Sequence, residues 1–257
     1  MLDDVLISEE KDHILTLTIN RPEKRNSLNA AVLRRLGETF SGLKADGKIR
    51  VVVLRGAGEQ AFSAGVDLRS DSGEEDLGTL LGNATDSIVN CPCPVIAMIY
   101  RYAVGAGCDL SASCDFRIAD DSARMGINPV KLGLIYAPKS IRRFINLIGV
   151  AATKELFLTG RFLTVQRAKE IGLVNQIVPA DALSETVYSL AQEIAENAPL
   201  AVAGTKSVIN KLFYDQELTP DTEAELQAIV KVCEQSEDIK EGMKAFSEKR
   251  KPVFKGR

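Results

Sequence analysis

Two short segments of the chain have nearly the same sequence, and both have the composition of a loop that binds an anionic oxygen. Ala64-Gly-Val-Asp-Leu68 and Ala106-Gly-Cys-Asp-Leu110 each follow a predicted buried strand and precede a predicted helix. Glycine lets a ligand approach the backbone closely, and the first N–H groups of a helix lack an internal acceptor. Two such segments could hold one oxyanion, as reactions through an enolate or a tetrahedral intermediate require. A second interpretation stays open, in which Gly65, Gly105 and Gly107 only permit tight turns.

The sequence lacks the residues that several other kinds of site or mechanism require. The single histidine, His13, falls in a predicted hairpin turn, and the five cysteines contain no C-x-x-C pair. We therefore expect no disulfides, no metal site and no mechanism built on a Ser-His or Cys-His pair. The net charge of −3 does not indicate nucleic acid or a membrane surface as a partner. The amino terminus lacks the basic and apolar regions of a secretion signal, so we expect a cytoplasmic protein.

The elements that must position the two glycine segments alternate between strand and helix. Hydrophobic alternation over residues 5–8 and 14–19 predicts an opening hairpin, and helical spacing begins after Asn29 or Ser27. Buried strands are predicted at residues 51–54, 95–99 and 116–119, with helical stretches between them. This alternation favours parallel strands joined by crossovers.

The second half of the chain is mainly helical in its pattern. Helical segments follow Ala137 and are broken at Gly149, Gly160, Gly172 and Pro179, with one more strand predicted at residues 173–178. Further helices are predicted after Asp181, Pro199, Pro220 and Asp238. We divide the chain into a core of residues 1–195 and a helical region of residues 196–257 that would act as a lid or an assembly module.

Five segments together resemble the enoyl-CoA hydratase/isomerase (crotonase) superfamily, and they are spread over nearly the whole chain. They are Asn20-Arg-Pro22 with Asn26-Ser-Leu-Asn29, Ala61-Phe-Ser-Ala-Gly-Val-Asp-Leu68, Val104-Gly-Ala-Gly-Cys-Asp-Leu110 with Cys114-Asp-Phe-Arg-Ile-Ala119, the stretch from Gly160 to Asn175, and the tail Glu241-Gly-Met-Lys-Ala-Phe-Ser-Glu-Lys-Arg-Lys-Pro252. The resemblance implies an α/β fold, the ClpP/crotonase-like spiral of repeated β-β-α units with a helical C-terminal trimerisation region. It also implies a homotrimer or a dimer of trimers, and an acyl-CoA thioester substrate of which coenzyme A is a part, with no other cofactor.

The resemblance also implies particular site residues. The oxyanion would be held by the backbone N–H groups of Val66 and Ala106, beside Ala64, Gly65 and Gly105. The resemblance further assigns residues to coenzyme A: Lys24, Arg25 and Ser27, with Phe246 and Lys249 from the tail. For Lys24 and Arg25 a solvated turn is the competing interpretation, because basic residues are common in such turns.

The residues that would determine which reaction is catalysed differ from the common pattern of the family. Hydratases of this family use two glutamates; the first falls here on Asp109, which is one methylene shorter, and the second on Pro129 or Val130, which cannot ionise. Asp109 therefore stays as a candidate catalytic residue, with a helix-dipole carboxylate as the alternative. Ordinary hydration and ordinary isomerisation are both disfavoured, and Asp67 is interpreted as structural.

A local string instead resembles the bacterial methylmalonyl-CoA decarboxylases. Asn128-Pro-Val-Lys-Leu-Gly-Leu-Ile-Tyr136 is similar to their Thr-Pro-Val-Asn-Leu-Gly-Val-Pro-Tyr, which places Tyr136 on their active-site tyrosine. Decarboxylation forms an enolate without a strong base, so it would tolerate the lost glutamate. Those enzymes carry a histidine where this chain has Val66, and Tyr136 could instead be a packing residue.

The sequence therefore favours an acyl-CoA lyase that stabilises a thioester enolate, by decarboxylation or by an atypical hydration. Two alternatives are kept: an enoyl-CoA isomerase, and a catalytically silent relative that binds coenzyme A or RNA. The basic tail, Lys249 to Lys251 and Lys255 to Arg257, suggests RNA only weakly, because Phe254 is its one aromatic residue.

Overall fold

The computed structural model describes residues 5–69, 76–214 and 234–254, together with residues 220, 221, 224, 227, 228 and 231. It contains a six-stranded sheet in the order β1-β2-β3-β4-β6-β9. The strands are β1 (Leu6–Lys11), β2 (Ile14–Ile19), β3 (Val51–Gly56), β4 (Val95–Ile99), β6 (Phe116–Asp120) and β9 (Gln176–Val178). β1 and β2 are antiparallel and every other neighbouring pair is parallel, as the strand-helix alternation predicts.

A second, smaller sheet lies beside the first. It has the order β5-β7-β8, from β5 (Tyr102–Val104), β7 (Arg124–Gly126) and β8 (Leu163–Thr164). Two isolated parallel bridges extend its pattern, one between Leu28 and Val66 and one between Ser63 and Ala103. Sequence reasoning missed these strands, because elements of two or three residues leave no readable periodicity.

The structure gives the first and last residues of eight α-helices. They are α1 (Ala30–Gly42), α2 (Leu77–Asn90), α3 (Ala106–Ser113), α4 (Pro138–Thr159), α5 (Val165–Glu170), α6 (Leu183–Glu196), α7 (Pro199–Tyr214) and α8 (Glu237–Glu248). α1 begins as expected, because the Asn29 side chain accepts a hydrogen bond from the Val32 N–H at 3.0 Å. α4 is interrupted at Gly149, whose φ of 75° and ψ of 165° are not helical.

The core is built from the six-stranded sheet and α3, the helix that begins in the second glycine segment. β4 is buried at all five positions, and all eight residues of α3 are buried. α3 is therefore an internal helix, so that a charged side chain on it must find its partners inside the protein. Four cysteines, Cys91, Cys93, Cys108 and Cys114, are free and buried, whereas Cys233 lies outside the described residues.

The predicted strand at residues 173–178 is wrong in its first half, since β9 contains only Gln176–Val178. The N–H groups of Leu173 and Val174 donate to the carbonyl of Ala168, at the end of α5. The Leu173 carbonyl accepts instead from the Arg117 side chain, and the Asn175 side chain accepts from the Arg117 N–H. These bonds take the place of the inter-strand hydrogen bonds that a strand at residues 173–175 would form.

In the part of the chain that the structure describes, no helix is long and apolar enough to cross a membrane.

Candidate active site

The two glycine segments meet in the structure. Ser63 and Ala103, which precede them, form a parallel bridge, and the Val104 N–H donates to the Ser63 carbonyl at 3.0 Å. Both turns depend on glycine: Gly65 has φ of 92° and Gly105 has φ of 54°. A Cβ on Gly65 would lie 2.8 Å from the Val104 carbonyl oxygen and 3.5 Å from the Ala106 nitrogen. The two segments predicted from their similarity are therefore in direct contact.

Two backbone donors are left without an acceptor where the segments meet. The N–H groups of Val66 and Ala106 donate no hydrogen bond to another described residue, although their neighbours are bonded. The Gly65 carbonyl accepts from Leu28 and the Asp67 N–H donates to Leu28, which leaves the Val66 N–H out of that ladder. Ala106 is the first residue of α3, so its N–H has no partner within the helix. Buried N–H groups are normally paired, so this pair is suited to a ligand oxygen.

The segment Arg21–Ser27 is fixed beside the first of these donors. The Asn26 side chain accepts from the Arg21 N–H and donates to the carbonyls of Ala57 and Ala61, and Ala64 donates to the Arg25 carbonyl. Lys24 and Arg25 are exposed, whereas Ser27 is buried and its hydroxyl lies 3.2 Å from the Arg21 guanidinium. The structure therefore places two cations next to the Val66 turn.

Asp67 is tied to this same segment. Its carboxylate pairs with Arg21 at 2.8 Å. Burial acts to raise the pKa of Asp67, but the hydrogen bonds from Arg21 and from the Arg69 N–H, with the charges of Arg21 and Lys24, bring the pKa below its ordinary value. Asp67 thus links the Arg21–Ser27 segment to the oxyanion turn, in agreement with its interpretation as a structural residue.

Asp109 is completely buried, and both of its carboxylate oxygens are occupied. Arg143 donates to one oxygen at 2.7 Å and the Ser140 hydroxyl donates to the other at 2.8 Å. Arg143 is itself buried and lies 3.6 Å from a second carboxylate, that of Asp86. A carboxylate held in this way joins α3 to α4 and is poorly placed to exchange a proton with a substrate. The contacts favour a positioning role, and the catalytic role of Asp109 stays a prediction.

The Tyr136 hydroxyl reaches the meeting point of the two turns. It lies 3.7 Å from the position that a Cβ on Gly105 would occupy. Its ring packs edge-on against Phe157, with 5.8 Å between the ring centroids. Burial raises the pKa of Tyr136 well above its ordinary value, and the nearby Asp109 carboxylate and Cys108 thiol add to this. The hydroxyl is therefore protonated at neutral pH, and it makes no hydrogen bond to another described residue.

Sequence reasoning did not single out Asn128, although the structure brings it to the same place. The Asn128 Oδ1 atom is 3.5 Å from the same Cβ position of Gly105, and the Gly65 Cα is 3.9 Å from it. The Asn128 side chain makes no hydrogen bond within the described parts of the chain. The signal was present in the sequence, because Asn128 and Tyr136 are the two ends of the string that resembles the decarboxylases.

The segment between Asn128 and Tyr136 is supported by the C-terminal helix. Pro129 is buried and Val130 is exposed in a 3-10 turn, Pro129–Leu132. α8 packs against this turn so closely that a Cβ on Gly242 would clash with the Leu132 carbonyl oxygen. Phe246 and Lys249, at the end of α8, are exposed, and no hydrogen bond or ion pair of the described residues joins them to Lys24 or Arg25.

Other surfaces and residues lie apart from this site. A groove of about 710 Å³ runs between α1 and α2, and another of about 660 Å³ lies between α6 and α7. No group of three or more His, Cys, Asp or Glu side chains in the described part of the chain could hold a metal ion. Residues 70–75, which follow the first glycine segment, and the end of the basic tail at 255–257 are outside the described residues.

Comparison with known proteins relates this geometry to a family. Residues 9–257 match the family model described as enoyl-CoA hydratase/isomerase. The chain is 36% identical to a putative enoyl-CoA hydratase/isomerase of Bacillus subtilis, with all of both chains covered. It is 33% identical to the 2,3-dehydroadipyl-CoA hydratase of Escherichia coli, which covers 98% of this chain and 99% of that protein.

Solved structures agree with the sequence comparison. A methylmalonyl-CoA decarboxylase bound to 2-nitronate-propionyl-CoA has a TM-score of 0.91 at 30% identity, and the alignment covers 99% of each chain. The family model, the relatives and the shared architecture confirm the predicted crotonase-like fold. The chain belongs to the enoyl-CoA hydratase/isomerase family, the crotonase superfamily, whose members include hydratases and a decarboxylase of acyl-CoA thioesters.

Proposed function

We propose that the protein is an acyl-CoA lyase that decarboxylates a thioester with a carboxylate on its α-carbon. The thioester oxygen would lie between the N–H groups of Val66 and Ala106, which would stabilise the enolate that forms there. Tyr136 would stand over the α-carbon, and Lys24, Arg25 and Ser27 would hold the nucleotide end of coenzyme A. No cofactor besides the substrate's own coenzyme A is needed for this step.

One observation carries the proposal: the group that lies beside the Gly105 turn, next to the Ala106 N–H, is a neutral phenol and not a free carboxylate. The Tyr136 hydroxyl and the Gly65 turn lie within 4 Å of one point beside Gly105. The two candidate positions for a second glutamate hold Pro129 and Val130, and Asp109 is bound to Arg143 and Ser140. A hydratase must remove and deliver the protons of water, for which a carboxylate or another base is needed. Decarboxylation has no such need.

The step balances without a base. The bond between the α-carbon and the carboxylate breaks, CO₂ leaves, and the electron pair moves into the thioester to form the enolate. Negative charge thus moves from the carboxylate to the thioester oxygen, where the two N–H groups stabilise it more in the transition state than in the ground state. Tyr136 then gives its proton to the α-carbon and takes another from solvent. A protonated phenol suits this role, and the raised pKa of Tyr136 keeps it protonated.

A second candidate, an atypical hydration of an enoyl-CoA, has its own support. The relatives include hydratases, among them the E. coli protein and the short-chain-enoyl-CoA hydratase of Clostridium acetobutylicum, which is 34% identical over 96% of this chain. In such a reaction Asp109 would have to position the water alone, after giving up its bond to Ser140 or Arg143. The paired state of Asp109 makes this the weaker candidate.

The deciding experiment follows a panel of acyl-CoA thioesters by chromatography with mass detection. The panel pairs 2-carboxyacyl thioesters with enoyl thioesters of matched length. The proposal predicts the loss of CO₂ from a carboxylated member, with no change in the enoyl members. Addition of water to an enoyl thioester, or a change of retention at constant mass, would replace the proposal by hydration or isomerisation. If the thioesters bind and none reacts, the protein would be a binding relative.

A further inference from the structure

A polar side chain that the reaction above does not use faces the same site. The Asn128 carboxamide and the Tyr136 hydroxyl both lie within 4 Å of one point beside Gly105, and neither makes a hydrogen bond to another described residue. Asn128 precedes a 3-10 turn, but its side chain does not cap that turn. Polar groups that line a site and have no protein partner are available to a ligand.

From this geometry we infer that Asn128 is a specificity-determining residue that binds a carboxylate on the α-carbon of the acyl group. The inference rests on the proposed function for the position of the thioester. With the thioester oxygen between Val66 and Ala106, a substituent on the next carbon lies close to Gly105, where Asn128 and Tyr136 converge. The carboxamide can rotate about its last torsion angle, so its NH₂ group can face the carboxylate and donate to it.

A neutral donor is chemically suited to a carboxylate that must leave. An arginine would bind the substrate carboxylate more tightly, but it would lose most of that interaction when the charge moves away as CO₂ forms. Such binding stabilises the ground state more than the transition state and slows the reaction. In this structure Arg143, on α4, is paired with Asp109 and with Asp86. Asn128 and Tyr136 can thus orient the carboxylate without holding it as an ion pair.

The test measures binding without turnover, so it does not depend on which reaction the protein catalyses. Two CoA thioethers serve as probes, one with a 2-carboxypropyl group and one with a propyl group; neither has a thioester carbonyl, and neither can react. Calorimetry compares the wild-type protein with Asn128→Ala and Asn128→Asp. We expect Asn128→Ala to weaken the carboxylated probe about tenfold, since a hydrogen bond to a charged group is lost. Asn128→Asp should weaken it further by like-charge repulsion.

The propyl probe and a control variant show whether each protein is intact. Binding of the propyl probe should change less than about twofold in both Asn128 variants. Asn90→Ala, which removes an exposed asparagine at the end of α2, should bind both probes as the wild type does. Equal affinity of all variants for the carboxylated probe would overturn the role of Asn128, even if the protein proved to be a decarboxylase. A tenfold loss confined to the carboxylated probe would support that role, even if the thioester panel showed a different reaction.

Discussion

At the scale of single residues, Tyr136 is the side chain on which the proposed chemistry depends most. Its hydroxyl lies beside the Gly105 turn and has no hydrogen-bonding partner among the described residues. We expect Tyr136→Phe to lower kcat by about 10²–10⁴, the usual range for the loss of a proton donor. KM should change little, since the ring packing against Phe157 is kept. Steady-state kinetics on the thioester that turns over checks this, and an unchanged kcat would remove Tyr136 from the mechanism.

The pH dependence of the same residue gives a separate prediction. In the proposed reaction the protonated phenol is the active form, so activity should be lost as the pH rises through the pKa of Tyr136. Burial and Asp109 raise that pKa above the ordinary value near 10. We therefore expect no loss of activity from this group below pH 10. A spectrophotometric titration of tyrosinate, compared between the wild type and Tyr136→Phe, locates the transition; a tyrosine ionising below pH 10 only in the wild type would contradict the prediction.

Asp109 leads to a prediction about stability. Replacing it by asparagine breaks the shorter of the two ion pairs of the buried Arg143 and leaves only Asp86, 3.6 Å away; breaking a buried ion pair typically costs about 3–5 kcal/mol. We expect the free energy of unfolding of Asp109→Asn to fall by that amount, as measured in urea. Asp109→Asn with Arg143→Met, which also removes the buried charge, should recover a large part of the loss. If Asp109→Asn unfolds as the wild type does but loses all turnover, Asp109 acts in catalysis and the positioning role is wrong.

At the scale of elements, the turn before α3 can be tested by adding one carbon atom. In Gly105→Ala the new Cβ would lie between Asn128 and Tyr136, at a backbone conformation that side chains rarely adopt. We expect a loss of about 1–3 kcal/mol in stability from the strained backbone. We also expect kcat to fall by about 10² or more, because the substrate is displaced.

A matched control for this variant is available in α2. A Cβ on Gly82 would meet nothing within 4 Å. Gly82→Ala should keep full activity and gain up to about 1 kcal/mol of stability from its higher helix propensity. Thermal unfolding and kinetics measured side by side compare the two variants. Equal activity of Gly105→Ala and the wild type would show that this turn does not line the active site.

Much of this arrangement could be predicted because it is local in sequence. The strand at residues 95–99, the cap at Asn29 and the helix after Gly105 follow from short-range patterns, and the structure confirms them. The pairing of Asp109 with Arg143 joins residues 34 positions apart, and nothing in either neighbourhood indicates the other. The sequence likewise left open whether Tyr136 packs in the core or faces the site, since its apolar sequence neighbours are compatible with both positions.

At the scale of the whole molecule, α7 presents an apolar face that suits a second copy of the chain. Leu200, Val208, Ile209 and Leu212 are between 57% and 80% exposed, and the last three lie on one side of the helix. The resemblance to the family led us to expect a trimer or a dimer of trimers, and we propose that this face forms part of the interface between subunits.

Light scattering should give a multiple of the chain mass. Ile209→Glu should lower that mass and Lys11→Glu, at the exposed hairpin, should not; a monomeric wild type would contradict the proposal.

The bridge between Ser63 and Ala103 has a consequence for how the reaction could be changed. Val66 and Ala106 each lie three residues beyond a bridged residue, so the bridge holds the two turns that carry their N–H groups side by side. In the proposed reaction the bridged backbone would hold the thioester oxygen, whereas the side chains of Asn128 and Tyr136 make no hydrogen bond to the described residues and can be changed without altering that backbone. Redesign for another reaction on the same enolate could therefore begin with these two side chains and leave the bridged backbone unchanged.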